Sequence, residues 1–211
     1  MAAAAPQKHR MQADDRRRLL LKAAIENFAQ KGFSGTKTKD IATAAGVSEA
    51  ILFRHFASKE DLYHAILDTK QEPHEKNVLI QELEKLASRR DDTGFFLLLA
   101  INIIHSFRED PAFHRLLLYA SLEGHLLASL FRERFGLPMG NFLRRYIAQR
   151  QKEGAFHRCD ANLAMEFFFG TVVHFAMNRY LFEMKDPPLS DEDAVRELVT
   201  LVMRGLKKGS A

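Results

Sequence analysis

The sequence predicts an all-α protein of about nine helices, on three observations. Apolar residues recur three and four positions apart along almost all of the 211 residues, the spacing of one helix face. Period-two alternation, which marks a half-buried strand, is rare. Between the periodic runs stand helix stops and starts: Gly32, Gly46, Ser48, Ser58, Pro73, Asp110-Pro111 and Pro187-Pro188. With 46% hydrophobic and 27% charged residues the chain can bury a core, as ordinary globular domains do.

Taken in order, residues 1–13 read as a flexible tail. The first helix is expected from about Asp14 to Lys31, with Leu20, Ala24 and Phe28 on one face and Gly32 as its stop. A short second helix carries Ile41, Ala42 and Ala45 and ends at Gly46. Ser48 caps a short third helix, whose inner positions are Ile51, Leu52 and Phe56. Ser58 opens a fourth, with Asp61 in the place of the usual glutamate of a capping box. Pro73 must break or kink it, since proline removes a hydrogen bond and crowds the preceding turn. Helices follow at roughly 75–88, 93–108, 111–121, 125–153 (with a defect near Gly136-Leu137-Pro138), 161–183 and 190–207.

Composition excludes several classes. A single cysteine, Cys159, allows no internal disulfide and no thiolate zinc cage. The short apolar opening, Met1 to Pro6, precedes the basic residues, the reverse of a secretory leader. The best apolar run, Phe95 to Ile104, is interrupted by Asn102 and falls short of the roughly 18 residues of a membrane span. A cytoplasmic, soluble protein is expected. Residues 1–59 hold 11 Lys+Arg against 5 Asp+Glu, the remainder 20 against 22. A basic head on a near-neutral body points to a polyanionic partner for the head, or to a solvated basic face.

The segment from Thr36 to Phe56 is the most informative. Two short helices meet at Gly46-Val47-Ser48, where glycine takes a left-handed turn without steric cost. Helices this short are unstable alone, so the first helix together with Ile41, Ala45, Val47, Leu52 and Phe56 must hold them. Such a trihelical unit presents its third helix outward, as a helix-turn-helix does for the DNA major groove.

The pattern Phe28…Gly32-Phe33…Thr36…Ile41-Ala42…Ala45-Gly46-Val47-Ser48…Leu52-Phe53-Arg54-His55-Phe56…Ser58-Lys59-Glu60…Leu62 resembles the signature of the TetR family of bacterial regulators. The resemblance implies DNA-contacting roles for Thr38 and Lys39 at the start of helix two. It implies the same for Ser48, Glu49, Ala50, Phe53, Arg54 and His55 on the recognition helix, and for Lys59 as a phosphate grip. A helix N-terminus with a lysine beside it suits that last role on physical grounds also. Two positions depart from the family pattern. Phe53 stands where tyrosine is usual, so one hydroxyl contact to phosphate is missing, and Ala50 stands where glycine is common. Glu49 is repelled by phosphate unless it accepts from a cytosine amino group.

By the same resemblance the protein is a homodimeric repressor on a pseudo-palindromic DNA operator, released by a small apolar or amphipathic effector. A helix-turn-helix head over residues 14–60 would serve a helical effector-binding and dimerisation body over 61–208. Dimerisation is assigned to helices 161–183 and 190–207, with Val195, Leu198, Val199 and Val202 as the seam. Seventeen phenylalanines, several of them in 93–108, 111–121 and 161–183, suggest an apolar pocket, although core packing accounts for them equally well. His105, Tyr119, His174 and Asn178 are its candidate polar residues. Arg16-Arg17-Arg18 reads either as a basic arm or as a solvated first turn. His105, His114, His125 and His174 lack metal-ligand spacing, so no metal is expected. No nucleophile elbow or phosphate loop occurs, so neither an enzyme nor a cofactor is expected. The competing readings are a nonspecific architectural DNA binder and a helical protein-interaction module.

Overall fold

Many helix ends follow local chemistry in the computed structural model, which describes residues 5–70, 73–184 and 188–208, with side chains from residue 13 onward and without those of 73–77. Helix α1 (Ala5–Gly35) is interrupted at Gly32, whose φ of 68° and ψ of 177° are not helical. The expected stop is therefore in place, but residues 5–13 are helical and the expected start at Asp14 lies inside α1. Helices α2 (Thr38–Ala44) and α3 (Glu49–His55) follow. α4 (Lys59–Thr69) and α5 (Pro73–Ser88) are separate, so the break falls at Pro73, which opens α5 where its missing N–H costs nothing.

Helices α6 (Asp92–Glu109) and α7 (Pro111–Leu122) match their expected ranges to within a residue. The long 125–153 run is α8 (Leu126–Phe131), a π-helical turn Arg132–Gly136 and α9 (Leu137–Lys152). The widened turn sits directly before Pro138, which cannot donate to the ladder. α10 (Ala161–Tyr180) is capped by Asp160, and α11 (Asp191–Leu206) by Ser190, which accepts from the Asp193 amide at 3.1 Å. Among the described residues there is no strand, only an isolated bridge between Phe156 and Lys207.

The chain forms two compact units. Unit one comprises Met1–Gln71 and Ala112–Phe131. Its buried residues include Leu20, Ala24 and Phe28 of α1, Ile41 of α2, Leu52 of α3, and Leu62 and Ile66 of α4. In it α1 packs on α2 and α4, α2 on α3, and α4 on α8.

Unit two comprises Glu72–Pro111 and Arg132–Ala211. Phe95, Phe96, Leu99 and Ile104 of α6 meet Leu143 and Ile147 of α9, Phe168 and Val172 of α10, and Val199 and Val202 of α11. Gly140 lets α9 approach α10, because a Cβ there would stand 3.2 Å from the Met165 sulfur. This packing corrects the dimer seam read from the sequence. Val195, Val199 and Val202 are buried in the core of unit two, and of the four only Leu198 keeps part of its surface.

Unit two also holds a buried ionic cluster. Arg150 donates to both carboxylate oxygens of Asp92, at 2.7 and 3.1 Å, and the Tyr146 hydroxyl donates to Oδ1 at 2.6 Å. Arg150 also reaches Glu153. Hydrogen bonds from Gln149, Arg90 and Arg150 hold the Glu153 carboxyl at a pKa of about 2. Burial pushes the Tyr146 phenol well above its usual value, and its bond to Asp92 adds to this.

Candidate nucleic-acid interface

The head is built around one tight turn. After α2 the Gly46 amide donates to Thr43 O at 3.0 Å and the Val47 amide to Ala42 O at 2.9 Å. Gly46 has φ 68°, a left-handed conformation that closes helix ends and favours glycine. Ser48 then caps α3 by accepting from the Ile51 amide. α3 turns Leu52 inward, with the following Phe56 also buried, and leaves Ala50, Phe53 and Arg54 exposed. α3 is thus a seven-residue helix fixed on one side and bare on the other, the arrangement by which a helix-turn-helix enters a DNA groove.

Thr38 and Glu49, assigned to separate contacts by the family pattern, are bonded to each other: the Thr38 hydroxyl donates to the Glu49 carboxylate. The link explains how a carboxylate is tolerated there, since it ties the start of α2 to α3 and lies in the first turn of α3, where the helix dipole favours negative charge. Lys39, Ser48, Ala50 and Arg54 are exposed, and His55 is half-buried. Phe53 is 49% exposed, so the ring that replaces the family's tyrosine is an apolar surface on the outer side of α3.

Lys59 is tied to the end of α1. Its ammonium donates to Phe33 O at 2.8 Å and Thr36 O at 3.0 Å, and sits 4.2 Å from the centre of the Phe33 ring. Two of its three donors are thus committed to the end of α1. Thr36, for which the sequence suggested no role, is buried and donates to Gly32 O at 2.7 Å, bracing the same junction. Ser58 accepts from the Asp61 amide at 3.1 Å, and Asp61 accepts from the Ala57 amide at 3.0 Å. This is the expected capping exchange, with the side chain of Asp61 reaching one residue further back than in the usual box.

Of the four candidate effector residues, Tyr119 belongs to unit one and His105, His174 and Asn178 to unit two. His105 is exposed on α6, 3.0 Å from Arg108 and 3.8 Å from Glu109. Tyr119 is half-buried on α7 in unit one. His174 and Asn178 are neighbours on α10, 3.4 Å apart, in an open groove of about 520 Å³ that Phe167, Thr171 and Leu198 also line. Among the described residues, no group of three or more His, Cys, Asp or Glu side chains could hold a metal ion, and no helix is long and apolar enough to cross a membrane.

An all-helical chain with an outward third helix in a trihelical head has the architecture of a helix-turn-helix DNA-binding protein. The family model for bacterial regulatory proteins of the tetR family matches residues 20–66. The transcriptional activator FasR of Mycolicibacterium smegmatis is 44% identical over 59 residues, 28% of this chain and 27% of that protein. The chain thus aligns with about a quarter of that relative's length. NalD, a secondary repressor of a multidrug efflux pump in Pseudomonas aeruginosa, has a TM-score of 0.68 at 22% identity, covering 95% of this chain and 100% of that one. AibR, solved with isovaleryl coenzyme A and operator DNA, has a TM-score of 0.67 at 19% identity, covering 88% and 97%. Residues 20–66 are thus similar to the helix-turn-helix head of tetR-family regulators, and the fold of the chain is shared with those solved structures.

Proposed function

We propose that the protein is a transcriptional regulator acting as a homodimer, each head placing α3 in the major groove of one half of a pseudo-palindromic operator. The observation that carries this reading is the head, where a capped α3 is held from behind by Leu52 and Phe56 and bare along Ala50, Phe53 and Arg54. Residues 14–60 are the reading domain and 61–208 the regulatory body. Arg54 and Glu49 read bases. Thr38, Lys39, Ser48, Ala50, Phe53 and His55 fit against the groove and its backbone, and the third donor of Lys59 meets a phosphate at the start of α4.

The test is a footprint on the DNA flanking the protein's own gene, with selection from randomised duplexes. A protected two-fold site supports the reading. Glu49→Gln is expected to change the preferred base at one position per half-site, worth roughly 1–3 kcal/mol of discrimination. An unchanged preference leaves Glu49 as a strut for Thr38 only. Uniform protection without a preferred sequence indicates an architectural binder, and no binding at all indicates a protein-interaction module.

The body is also proposed to bind an apolar or amphipathic small molecule that favours a DNA-incompetent state, the condition for release. Its aromatic-rich helices support this, as does a structural neighbour solved with an acyl-coenzyme A and operator DNA. Within unit two, His174 and Asn178 are the candidates that share a groove. The chain has no tryptophan, so thermal shift suits it better than intrinsic fluorescence. A ligand at 100 times its Kd adds about 2.7 kcal/mol of stability. A broad metabolite screen that neither raises the melting temperature nor releases operator DNA removes the effector from the mechanism.

A further inference from the structure

The three arginines at 16–18 are consecutive, yet their surroundings differ. Arg17 lays its guanidinium over the Phe56 ring, 4.6 Å from its centre. Arg18 donates to Asp15 at 2.8 Å. Arg16 is exposed and borders a trough whose other side is Gly46, Val47 and Ser48, the turn and cap of α3. One arginine is committed to packing and one to an ion pair, which leaves Arg16 with its fork of donors toward solvent beside the reading helix.

The trough lies on a defined flank of α3. Thr38 reaches α3 at Glu49, whereas the trough meets it at Ser48 and Ile51. At 100° per residue, Glu49 and Ile51 are about 160° apart around the helix axis. α3 therefore has the first turn of α2 on one side and the N-terminal half of α1 on the other. A helix inserted in the major groove is bordered by a phosphate strand on each side, and phosphate contacts set its register. A planar guanidinium matches phosphate oxygens bidentately.

We propose that Arg16 binds a backbone phosphate on the DNA strand opposite the one that faces Thr38 and Lys39, so that the N-terminal half of α1 is part of the DNA surface. The inference rests on the DNA-binding reading above and deepens it. Arg16 adds affinity without sequence preference, because every duplex offers the same phosphate.

The test compares full-length wild type, Arg16→Ala, Arg16→Lys and Arg18→Ala across a salt series. Two labelled probes are used, a duplex of arbitrary sequence and a duplex selected by the wild type. Arg16→Ala is expected to lower the slope of log affinity against log salt by about 0.9 per head and to weaken both duplexes by the same factor. Its melting temperature should stay that of the wild type. Arg16→Lys keeps the charge and retains most of the slope, and Arg18→Ala leaves the slope unchanged. Should Arg16→Ala lose stability, Arg16→Gln keeps the aliphatic stem and is read in the same way. A wild-type slope for Arg16→Ala overturns the proposal, and so do equal losses from Arg16→Ala and Arg18→Ala, which describe a diffuse basic surface. A wild type that binds neither duplex overturns the DNA-binding reading itself, and Arg16 falls with it.

Discussion

Arg150→Ala is expected to destabilise the protein by about 3–5 kcal/mol, the cost of removing one partner from a buried ion pair. Arg150 and Asp92 are both buried, and the guanidinium grips both oxygens of the carboxylate. Without it Asp92 keeps a single side-chain donor, the hydroxyl of Tyr146. A carboxylate so placed must stay charged without compensation or take up a proton, and either outcome costs stability. Each member also sits where a helix dipole favours it, Asp92 in the first turn of α6 and Arg150 in the last turn of α9. The loss should appear in urea unfolding as a lower midpoint at unchanged slope and as a melting point reduced by on the order of 10 °C. Arg150→Lys, one point donor in place of a planar fork, should fall between wild type and alanine. Replacing both Asp92 and Arg150 with apolar residues of similar volume should recover much of the loss. A change below about 1 kcal/mol for Arg150→Ala would mean that water already reaches the pair.

Nothing in the sequence announced this cluster, because Asp92 and Arg150 are 58 positions apart and charge patterning is informative only within a few turns. The head was legible for the opposite reason. Its turn is fixed by Gly46, its caps by Ser48 and Ser58, and its inward face by Ile41, Leu52 and Phe56, all within a few residues of the elements they determine. Where a local signal met a distant partner, only half of the answer was local. Lys59 was recognisable as a cation at a helix start, but its bonds to Phe33 and Thr36 required the fold. A polar residue on an apolar helix looks the same in sequence whether it faces a cavity, as His174 faces a groove, or solvent, as His105 does.

The dimer prediction changes face for a related reason. α10 is apolar on nearly every side, with Phe167, Phe168 and Phe169 in succession, so periodicity alone cannot say which residues turn inward. Phe168 is fully buried and Phe167 is 58% exposed; on α11, Val199 is buried and Leu201 is 57% exposed. The outward residues Leu163, Phe167 and Leu201, with Leu198 half-buried beside them, are large, apolar and carried by the two helices assigned to dimerisation. Glycine at 170, where added atoms would meet nothing within 4 Å, leaves room for a close approach on the same helix. Phe167→Glu combined with Leu201→Glu is therefore expected to yield folded monomers, since neither side chain supports the core. The separated heads would then bind the two halves of an operator independently, and affinity should drop by roughly 10²–10⁴-fold through the lost effective concentration. Truncation before Ser190 would be a poor test, because α11 supplies Val195, Val199, Val202, Met203 and Leu206 to the core of unit two. Val199→Glu is the informative control: it should unfold unit two, seen as lost helical circular dichroism, whereas the double surface variant keeps its helix content and melting cooperativity. A double variant that still sediments as a dimer with wild-type operator affinity would remove the α10–α11 outer face from the interface.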